Sequence, residues 1–339
     1  MTLSRAIALL LLVNGVLLAV GAVFFTAPQL PAAKGFRVGL VFDVGGKNDK
    51  SFNQAAWVGL TRARDELGID IIAIEPTEGA DRETALRSLA AKHLDLVIGV
   101  GFIFSADLER IAVAFPAVHF AGIDYAPTGA PQPPNLVGIR FREQEGAFVV
   151  GAIAGKLSAS RIVGFVGGMK IPLIRKFEAG FTAGVHHACP RCQVISAYAG
   201  SEPKAFTDAP TGQALAIAQY NAGADIIFHA AGKTGDGVFA AAARRGARAI
   251  GVDSDQFASA PCCVVTSMIK RIDNAVVDLV ARSLHGRPPT GVIELGIRDG
   301  GVDFVSNDAN AHLLPPPVAA YARAIAAEIG AQRLQVPSE

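Results

Sequence analysis

After residue 35, short apolar runs alternate with longer amphipathic segments, and the same pattern occurs twice along the chain. This repeat constrains the fold more than any other feature of the sequence. The apolar runs have the length and flanking residues of strands, and the segments between them carry apolar residues at helical spacing. The same order begins again near residue 161. Strands that alternate with helices of this length form parallel sheets with right-handed crossovers. The sequence therefore predicts an α/β protein with two doubly wound lobes.

Each half closes with the same three-residue pattern of glycine, an apolar residue and aspartate. The two triplets are Gly122–Asp124 and Gly251–Asp253, each at the end of a predicted strand. Ligands of open parallel sheets bind beyond the carboxyl ends of the strands. When two such lobes face each other, strand ends from both line one cleft. We therefore expect both aspartates to lie in a cleft between the lobes.

The chain must pass between the lobes, and two segments are predicted to do so, residues 131–146 and 254–270. Crossing segments of this kind can act as a hinge that closes around a ligand. A length of 339 residues agrees with two domains of ordinary size. The predicted lobes are residues 36–140 with about 256–290 for lobe 1, and residues 141–255 with about 291–335 for lobe 2.

The composition excludes several classes of protein. Lys and Arg together number 31 and Asp and Glu number 30, so the net charge is +1 at pH 7. Nucleic-acid-binding proteins normally carry a basic excess, so we expect no nucleic-acid partner. Apolar residues make up 51% of the chain and charged residues 18%, which excludes a disordered protein.

The N-terminal segment differs from the rest of the chain. Arg5 is the only charged residue before Lys34, and residues 6–25 are almost wholly apolar. A positive charge followed by an apolar run is typical of an export signal, which we place in residues 1–33. The run is also long enough to span a bilayer, so an uncleaved membrane anchor and a buried core helix remain alternatives. The signal and the anchor both place the other residues outside the cytoplasm, in the periplasm or an equivalent compartment.

Four cysteines occur in two close pairs. Cys189 and Cys192 lie in a predicted helix-to-strand loop, where a structural disulfide is the expected state. Inert thiols, half of a zinc site and a redox motif are the alternatives for this spacing. The adjacent Cys262 and Cys263 have the wrong spacing to complete a zinc site, and their state stays open. We therefore expect no metal site.

The loop after the first strand carries residues that suit a binding site. Asp43 stands at the strand end, and the two glycines that follow it permit a turn. Asp49, Ser51 and Asn53 can either cap the next helix or face a ligand. Phe52 begins that helix at the predicted mouth of the cleft, with a core position as the alternative. The loop thus predicts a polar cleft wall that contains one aromatic ring.

A glycine-rich turn in the second half, Gly232–Gly235, resembles a phosphate-binding loop only superficially, because its spacing is different. We interpret it as a strand-to-helix turn whose backbone, at Gly232, lies near the cleft. No cofactor is expected from this motif.

Together these motifs resemble the basic membrane protein family, the PnrA-like purine nucleoside receptors of ABC transporters. The similarity covers about residues 36–310 and implies a type I periplasmic-binding-protein fold with two lobes joined by hinge segments. Residues 47–48 and the cysteine pairs depart from the family pattern. The residues that carry the resemblance are Phe42–Gly46, Asp49–Asn53, Gly122–Asp124, Phe177–Gly184 and Gly251–Asp253.

The resemblance assigns roles to individual residues of the cleft. Phe52 and Phe206 are expected to enclose a purine base, since aromatic stacking tolerates every base. Asp253, with Asp43 and Asp124, is expected to accept hydrogen bonds from ribose hydroxyls. The predicted ligand contacts also include Asn53, Gly232 and Lys270.

The resemblance implies a monomeric, non-enzymatic receptor that binds a purine nucleoside and delivers it to an ABC permease in the membrane, without cofactor or metal. A nucleoside-processing enzyme is one alternative, because cleft aspartates can also perform acid–base catalysis. A membrane-anchored sensor for another small solute is the other, because the apolar run of residues 6–25 suits an anchor.

Overall fold

The computed structural model describes residues 35–76 and 82–339. The export signal or anchor expected in residues 1–33, with its apolar run at residues 6–25, lies outside this part of the chain. Within the described ranges, no helix combines the length and the apolar character that crossing a bilayer requires.

Strands and helices alternate along the described chain in the predicted order. The strands are β1 (Arg37–Val41), β2 (Asp70–Ile74), β3 (Leu96–Val100), β4 (His119–Ile123), β5 (Leu136–Phe141), β6 (Ile162–Met169), β7 (Gln193–Gly200), β8 (Ile226–Ala230), β9 (Arg248–Asp253), β10 (Val264–Lys270), β11 (Gly291–Leu295) and β12 (Val302–Phe304). The helices are α1 (Phe52–Leu67), α2 (Arg82–Ala90), α3 (Ser105–Ala114), α4 (Glu143–Leu157), α5 (Pro172–Ala188), α6 (Ala209–Asn221), α7 (Gly235–Arg245), α8 (Ile272–Leu284) and α9 (Pro316–Gly330). Short 3-10 segments occur at Phe102–Phe104, Pro203–Phe206, Gly232–Thr234 and Phe257–Ser259.

The strands form two six-stranded sheets with equivalent strand orders. The first sheet has the order β2-β1-β3-β4-β5-β11, and all its pairs are parallel. The second has the order β7-β6-β8-β9-β10-β12 and is parallel except for β12, which runs antiparallel to β10. This arrangement confirms the predicted pair of doubly wound lobes, and we call the lobe built on the first sheet lobe 1 and the other lobe 2.

The central strands are buried throughout because helices cover both faces of each sheet, and His229 of β8 is the polar exception in β3 and β8. Every residue of β3 and of β8 is buried. Parallel sheets with both faces covered have such continuous apolar strands. The carboxyl ends of these strands are left as the polar, irregular edge of each lobe, and they face the space between the lobes.

The chain crosses between the lobes at three places that lie side by side. It leaves β5 for α4 at Arg142, and it leaves β10 at Arg271 for α8, which packs against α1 of lobe 1. The third crossing joins β11 to β12 through residues 296–301. The N–H of Arg142 donates to the carbonyl of Leu295 at 2.9 Å, and the N–H of Arg271 donates to the carbonyl of Gly301 at 2.8 Å. The crossings are therefore hydrogen-bonded to one another as one hinge.

Sheet membership differs from the predicted lobe boundaries in the last third of the chain. β10 was expected in lobe 1 within residues 256–290, but it pairs with β9 and β12 of the second sheet. β11 was expected in lobe 2 within residues 291–335, but it pairs with β5 of the first sheet. A short apolar run indicates a strand, whereas the sheet that it joins depends on long-range pairing that the run does not specify.

Both cysteine pairs are disulfide-bonded in this structure. The bond between Cys189 and Cys192 links the end of α5 to the start of β7. Cys262 and Cys263 are joined in the turn that leads into β10, which answers the question that the sequence left open. Among the described residues, no group of three or more His, Cys, Asp or Glu side chains is arranged to hold a metal ion.

Candidate functional site

A cleft lies between the lobes at the carboxyl ends of their strands. Its empty space, with the open mouth included, is about 610 Å³. Residues from both lobes and from the hinge line it. They are Asp43, Val44, Asp49, Phe52, Asn53, Gly101, Phe102, Asp124, Leu173, Ile174, Phe177, Phe206, Ala230, Gly232, Lys233, Val252, Asp253 and Lys270.

The aspartates of the two repeated triplets occupy equivalent positions at the ends of β4 and β9. Asp124 and Asp253 have φ angles of +58° and +66°, in the left-handed region that few residues other than glycine adopt. Each is about 7% exposed, and each lines the cleft. Backbone conformations of this kind cost free energy and are found preferentially at functional sites. The repeat predicted from the sequence thus brings two carboxylates into one space.

Asp43 supplies a third carboxylate from the end of β1. Its Oδ1 accepts a hydrogen bond from the N–H of Val44 at 2.6 Å. Its carboxylate lies against Gly101, which has a φ of +113° and where a Cβ would overlap the Asp43 oxygen. Burial raises the pKa of Asp43 to about 7, and the neighbouring carboxylates of Asp124 and Asp49 add to the effect. Asp43 is therefore close to half-ionised at neutral pH.

The start of α1 is held by Asp49 and Asn53. The Asp49 carboxylate accepts hydrogen bonds from the backbone N–H groups of Ser51, Asn53 and Gln54 at 2.8–3.0 Å. The Asn53 amide accepts from the N–H of Asp43 at 2.8 Å and donates to the carbonyl of Val44 and to Asp49. Asn53 was predicted to contact a ligand, and the structure shows its amide engaged with the protein. These contacts indicate that Asn53 holds the loop that carries Asp43.

Aromatic rings from both lobes line the cleft. Phe52, at the start of α1, and Phe206, at the end of a 3-10 segment, both line the cleft and are half-buried. Phe102 of lobe 1 contacts the edge of the Phe206 ring at 6.4 Å between centroids, with an angle of 63° between the ring planes. Phe177 of α5 is a further lining ring. Phe102 was not predicted, although its place just after β3 would have indicated it.

Gly232 lies in the cleft wall behind Phe206. It has a φ of +54°, and a Cβ at this position would lie 3.1 Å from the Phe206 carbonyl oxygen. The residue therefore allows the two segments of lobe 2 to approach closely, which agrees with the interpretation of this turn as backbone near the cleft.

Lys270, the last residue of β10, has a buried ammonium group in the cleft floor. Its Nζ lies 2.6 Å from the Asp124 carboxylate and 3.0 Å from that of Glu143. It also lies 5.3 Å from the centroid of the Phe52 ring and 5.8 Å from that of Phe177, distances typical of cation–π contacts. Burial disfavours the ammonium charge, but the carboxylates raise the pKa of Lys270 above its usual value. Lys270 is therefore permanently charged.

The same environment raises the pKa values of two other carboxyl groups in the cleft. Burial raises the pKa of Asp124 to about 6, with Lys270 opposing and Glu143 adding to the rise. Burial also raises the pKa of Asp253 to about 6, opposed by Lys270 and by a hydrogen bond from Ser51. At neutral pH both groups are mainly ionised and accept hydrogen bonds.

Hydrogen bonds between the loop before α1 and the loop after β9 join the lobes beside the crossing at Arg271. The Ser51 hydroxyl donates to Asp253 at 2.6 Å. The Ser254 hydroxyl donates to the carbonyl of Ser51 at 3.1 Å, and the Gln256 amide donates to the carbonyl of Lys50 at 3.2 Å. These bonds connect the start of α1 in lobe 1 to the strand end that carries Asp253 in lobe 2.

Comparison with known proteins places this geometry among solute receptors. A family model described as ABC transporter substrate-binding protein PnrA-like matches residues 36–322. The CD4+ T-cell-stimulating antigen of Listeria monocytogenes is 37% identical over 301 residues, which cover 82% of each chain. Basic membrane protein A of Borreliella burgdorferi is 34% identical over 275 residues, which cover 80% of this chain and 79% of that protein.

Solved structures agree with these matches. An ABC transporter solute-binding protein from Aeropyrum pernix superposes with a TM-score of 0.79 at 27% identity, covering 90% of this chain and 94% of that one. A second solute-binding protein, from Conexibacter woesei, superposes with a TM-score of 0.72 at 24% identity, covering 89% and 98%. The second match, because of its low identity, supports the fold alone.

The raised pKa of Asp43 predicts a pH-dependent change in stability. Its folded pKa of about 7 exceeds its unfolded value, so the carboxyl stabilises the fold at low pH and loses that contribution as the pH rises through about 7. Asp43→Asn should therefore raise the free energy of unfolding by about 1–3 kcal/mol at pH 8 relative to its effect at pH 4.5. Urea denaturation at the two pH values measures this difference. Asp70→Asn, at an exposed position of β2, is the matched control, and an equal effect of Asp43→Asn at both pH values would contradict the assignment.

Proposed function

The chain belongs to the PnrA-like family of ABC transporter substrate-binding proteins, and we propose that it is an extracytoplasmic receptor for a purine nucleoside. It would bind the nucleoside between its lobes and present it to a membrane permease. The observation that carries the proposal is the arrangement of aromatic rings and strand-end carboxylates from opposite lobes around one cleft. An exported monomer would act in this way without changing its ligand.

The rings of Phe52 and Phe206 are the proposed contacts for the base. They come from opposite lobes, so closure of the hinge brings them toward each other. Base–aromatic stacking contributes about 1–3 kcal/mol per base and accepts any base. The edge contact of Phe102 with Phe206 and the cation–π contact of Lys270 with Phe52 help to hold the two rings in place.

The carboxylates are the proposed contacts for the sugar. Asp124 and Asp253, both mainly ionised at neutral pH, can accept hydrogen bonds from neighbouring hydroxyls. Asp43, with a pKa of about 7, can either accept or donate. Hydrogen bonds to charged groups are stronger than neutral ones, particularly where the closed cleft excludes water. A dissociation constant below 1 µM needs about −8 kcal/mol, which two stacked rings and several such bonds can supply.

Release of the ligand requires that the lobes separate. They are joined by the bonds among Lys50, Ser51, Asp253, Ser254 and Gln256. These residues lie beside the crossing at Arg271, and Ser51, Asp253 and Gln256 are buried. We infer that a permease that engages both lobes can open the cleft by rotating them about the hinge and breaking these bonds.

An enzymatic role is the alternative that one observation favours, because buried carboxyls with raised pKa values are typical of acid–base catalysts. The proposed receptor leaves its ligand intact, whereas a nucleoside hydrolase releases the free base. We expect inosine to be recovered unchanged after long incubation with the protein, as followed by chromatography. Stoichiometric excess of hypoxanthine over protein would instead establish turnover.

Substitution of the two most directly implicated residues should weaken nucleoside binding. A nucleoside at 100 times its dissociation constant should stabilise the parent by about 2.7 kcal/mol in a thermal-shift assay. Phe206→Ala should cost about 1–3 kcal/mol of binding free energy by loss of one stacking ring. Asp253→Asn should cost about 1–3 kcal/mol by loss of a charged acceptor.

Two matched controls come from lobe 2. Phe257 lies in another 3-10 segment, is half-buried and is outside the cleft, so Phe257→Ala should leave the nucleoside response unchanged. Asp255→Asn alters an exposed aspartate two residues after Asp253. If Phe206→Ala and Asp253→Asn respond to nucleosides like these controls, the site assignment is wrong.

A further inference from the structure

Four buried or nearly buried charges form a continuous chain between the cleft floor and the hinge. Its members, in order, are Asp124, Lys270, Glu143 and Lys176, and we call them the hinge ion chain. The successive distances between charged groups are 2.6 Å, 3.0 Å and 3.4 Å. Glu143 is fully buried and is the first residue of α4, immediately after the crossing at Arg142. Sequence analysis did not indicate Glu143.

The hinge ion chain begins in lobe 1 and continues through lobe 2, where its last member contacts lobe 1 again. Asp124 follows β4 of lobe 1, whereas Lys270 and Glu143 belong to elements of lobe 2 next to the crossings. Lys176, on α5, donates to the carbonyl of Phe141 at the end of β5 at 3.1 Å and lies 3.8 Å from Glu294 of β11. Rotation of one lobe against the other must therefore change at least one of these distances.

The charges in this chain depend on one another. An uncompensated charge inside a protein costs several kcal/mol, so each buried ion needs its partners in place. Lys270 has a side chain that is only 1% exposed, and Asp124 and Glu143 are its carboxylate partners at hydrogen-bonding distance. Glu143 does not line the ligand cleft itself. Its carboxylate therefore acts on the cleft through its contact with Lys270 and through the like charge that it presents to Asp124.

We propose that Glu143 is a positioning residue, which holds the Lys270 ammonium against Asp124 and so couples the hinge to the ligand-binding carboxylate. The proposal rests on the proposed function in one respect, namely that Asp124 contacts the ligand. The coupling itself is a property of the unliganded protein. Removal of Glu143 should leave the lobes folded but change both the ionisation of Asp124 and the affinity of the cleft.

The charges around Asp124 predict the direction in which each substitution shifts the Asp124 pKa. Burial raises the pKa of Asp124, Glu143 raises it further as a like charge, and Lys270 and Lys176 lower it. Removing Glu143 should therefore lower the Asp124 pKa, and removing Lys176 should raise it. The titratable and charged groups that face Asp124 from the elements around it are Asp43, Tyr125, Arg140, Glu143, Lys176, Asp253 and Lys270.

The direct experiment is a carboxyl ¹³C NMR titration of the ligand-free protein, with the Asp124 resonance identified by its loss in Asp124→Asn. We expect the Asp124 midpoint to fall by at least half a pH unit in Glu143→Gln and to rise in Lys176→Gln. Glu178→Gln is the matched control, because Glu178 lies on α5 with Lys176 but bonds the hydroxyl of Tyr198, away from the crossings. The Asp124 midpoint in Glu178→Gln should equal that of the parent.

Opposite shifts in the two variants are not expected from a purely structural role, so unchanged midpoints or shifts of the same sign would overturn the proposal. Lys176 is less buried than Glu143, with a side chain that is 15% exposed. Lys176→Gln therefore decides the outcome if Glu143→Gln does not fold.

Calorimetric titration with inosine and adenosine separates this proposal from the proposed function. Where the parent binds either nucleoside, Glu143→Gln should weaken binding at least tenfold and Glu178→Gln should change it by less than twofold. Equal affinity of Glu143→Gln and the parent would overturn the coupling to the ligand site. If the parent binds neither nucleoside, the proposed function fails, and the ligand-free titration still decides whether Glu143 sets the ionisation of Asp124.

Discussion

A single buried ammonium group stands where the two lobes meet, and the arrangement of the cleft depends on it. Lys270 closes the last long strand of lobe 2, contacts the carboxylate of Asp124 in lobe 1 and lies against the ring of Phe52. An ion in a low-dielectric interior must be paired. These contacts of Lys270 therefore hold the end of β10, the start of α1 and the hinge in one geometry. The same paired charges make the floor of the cleft polar and fix its geometry.

Other groups of the site are held in environments that destabilise the unliganded protein. Three carboxyls are buried with raised pKa values, and two of them sit on backbone in the left-handed region. Burial of the carboxylates destabilises the unliganded fold, and hydrogen-bond donors from a ligand would compensate that cost. Binding and closure are thereby favoured together, which is what a receptor with a hinge requires.

Much of this architecture could be predicted from the sequence because it is encoded by local patterns. Apolar runs with helical segments between them specify the two sheets, and the repeated glycine-apolar-aspartate triplet places Asp124 and Asp253 at equivalent strand ends. Other features arise only when distant segments meet. The sheet that β11 joins, the contact of Glu143 with a lysine 127 positions further along the chain, and the use of Asn53 to hold the loop of Asp43 all depend on tertiary contacts. Neither the hydrophobic periodicity nor the spacing of motifs in the sequence indicates such contacts.

The central claim is that rings and carboxylates of opposite lobes enclose a nucleoside in this cleft. A crystal structure of the protein grown with saturating adenosine tests it most directly. The account predicts that the adenine ring lies between Phe52 and Phe206, with ribose hydroxyls within hydrogen-bonding distance of Asp253. Adenosine bound elsewhere, or an empty cleft at saturating concentration, would contradict it.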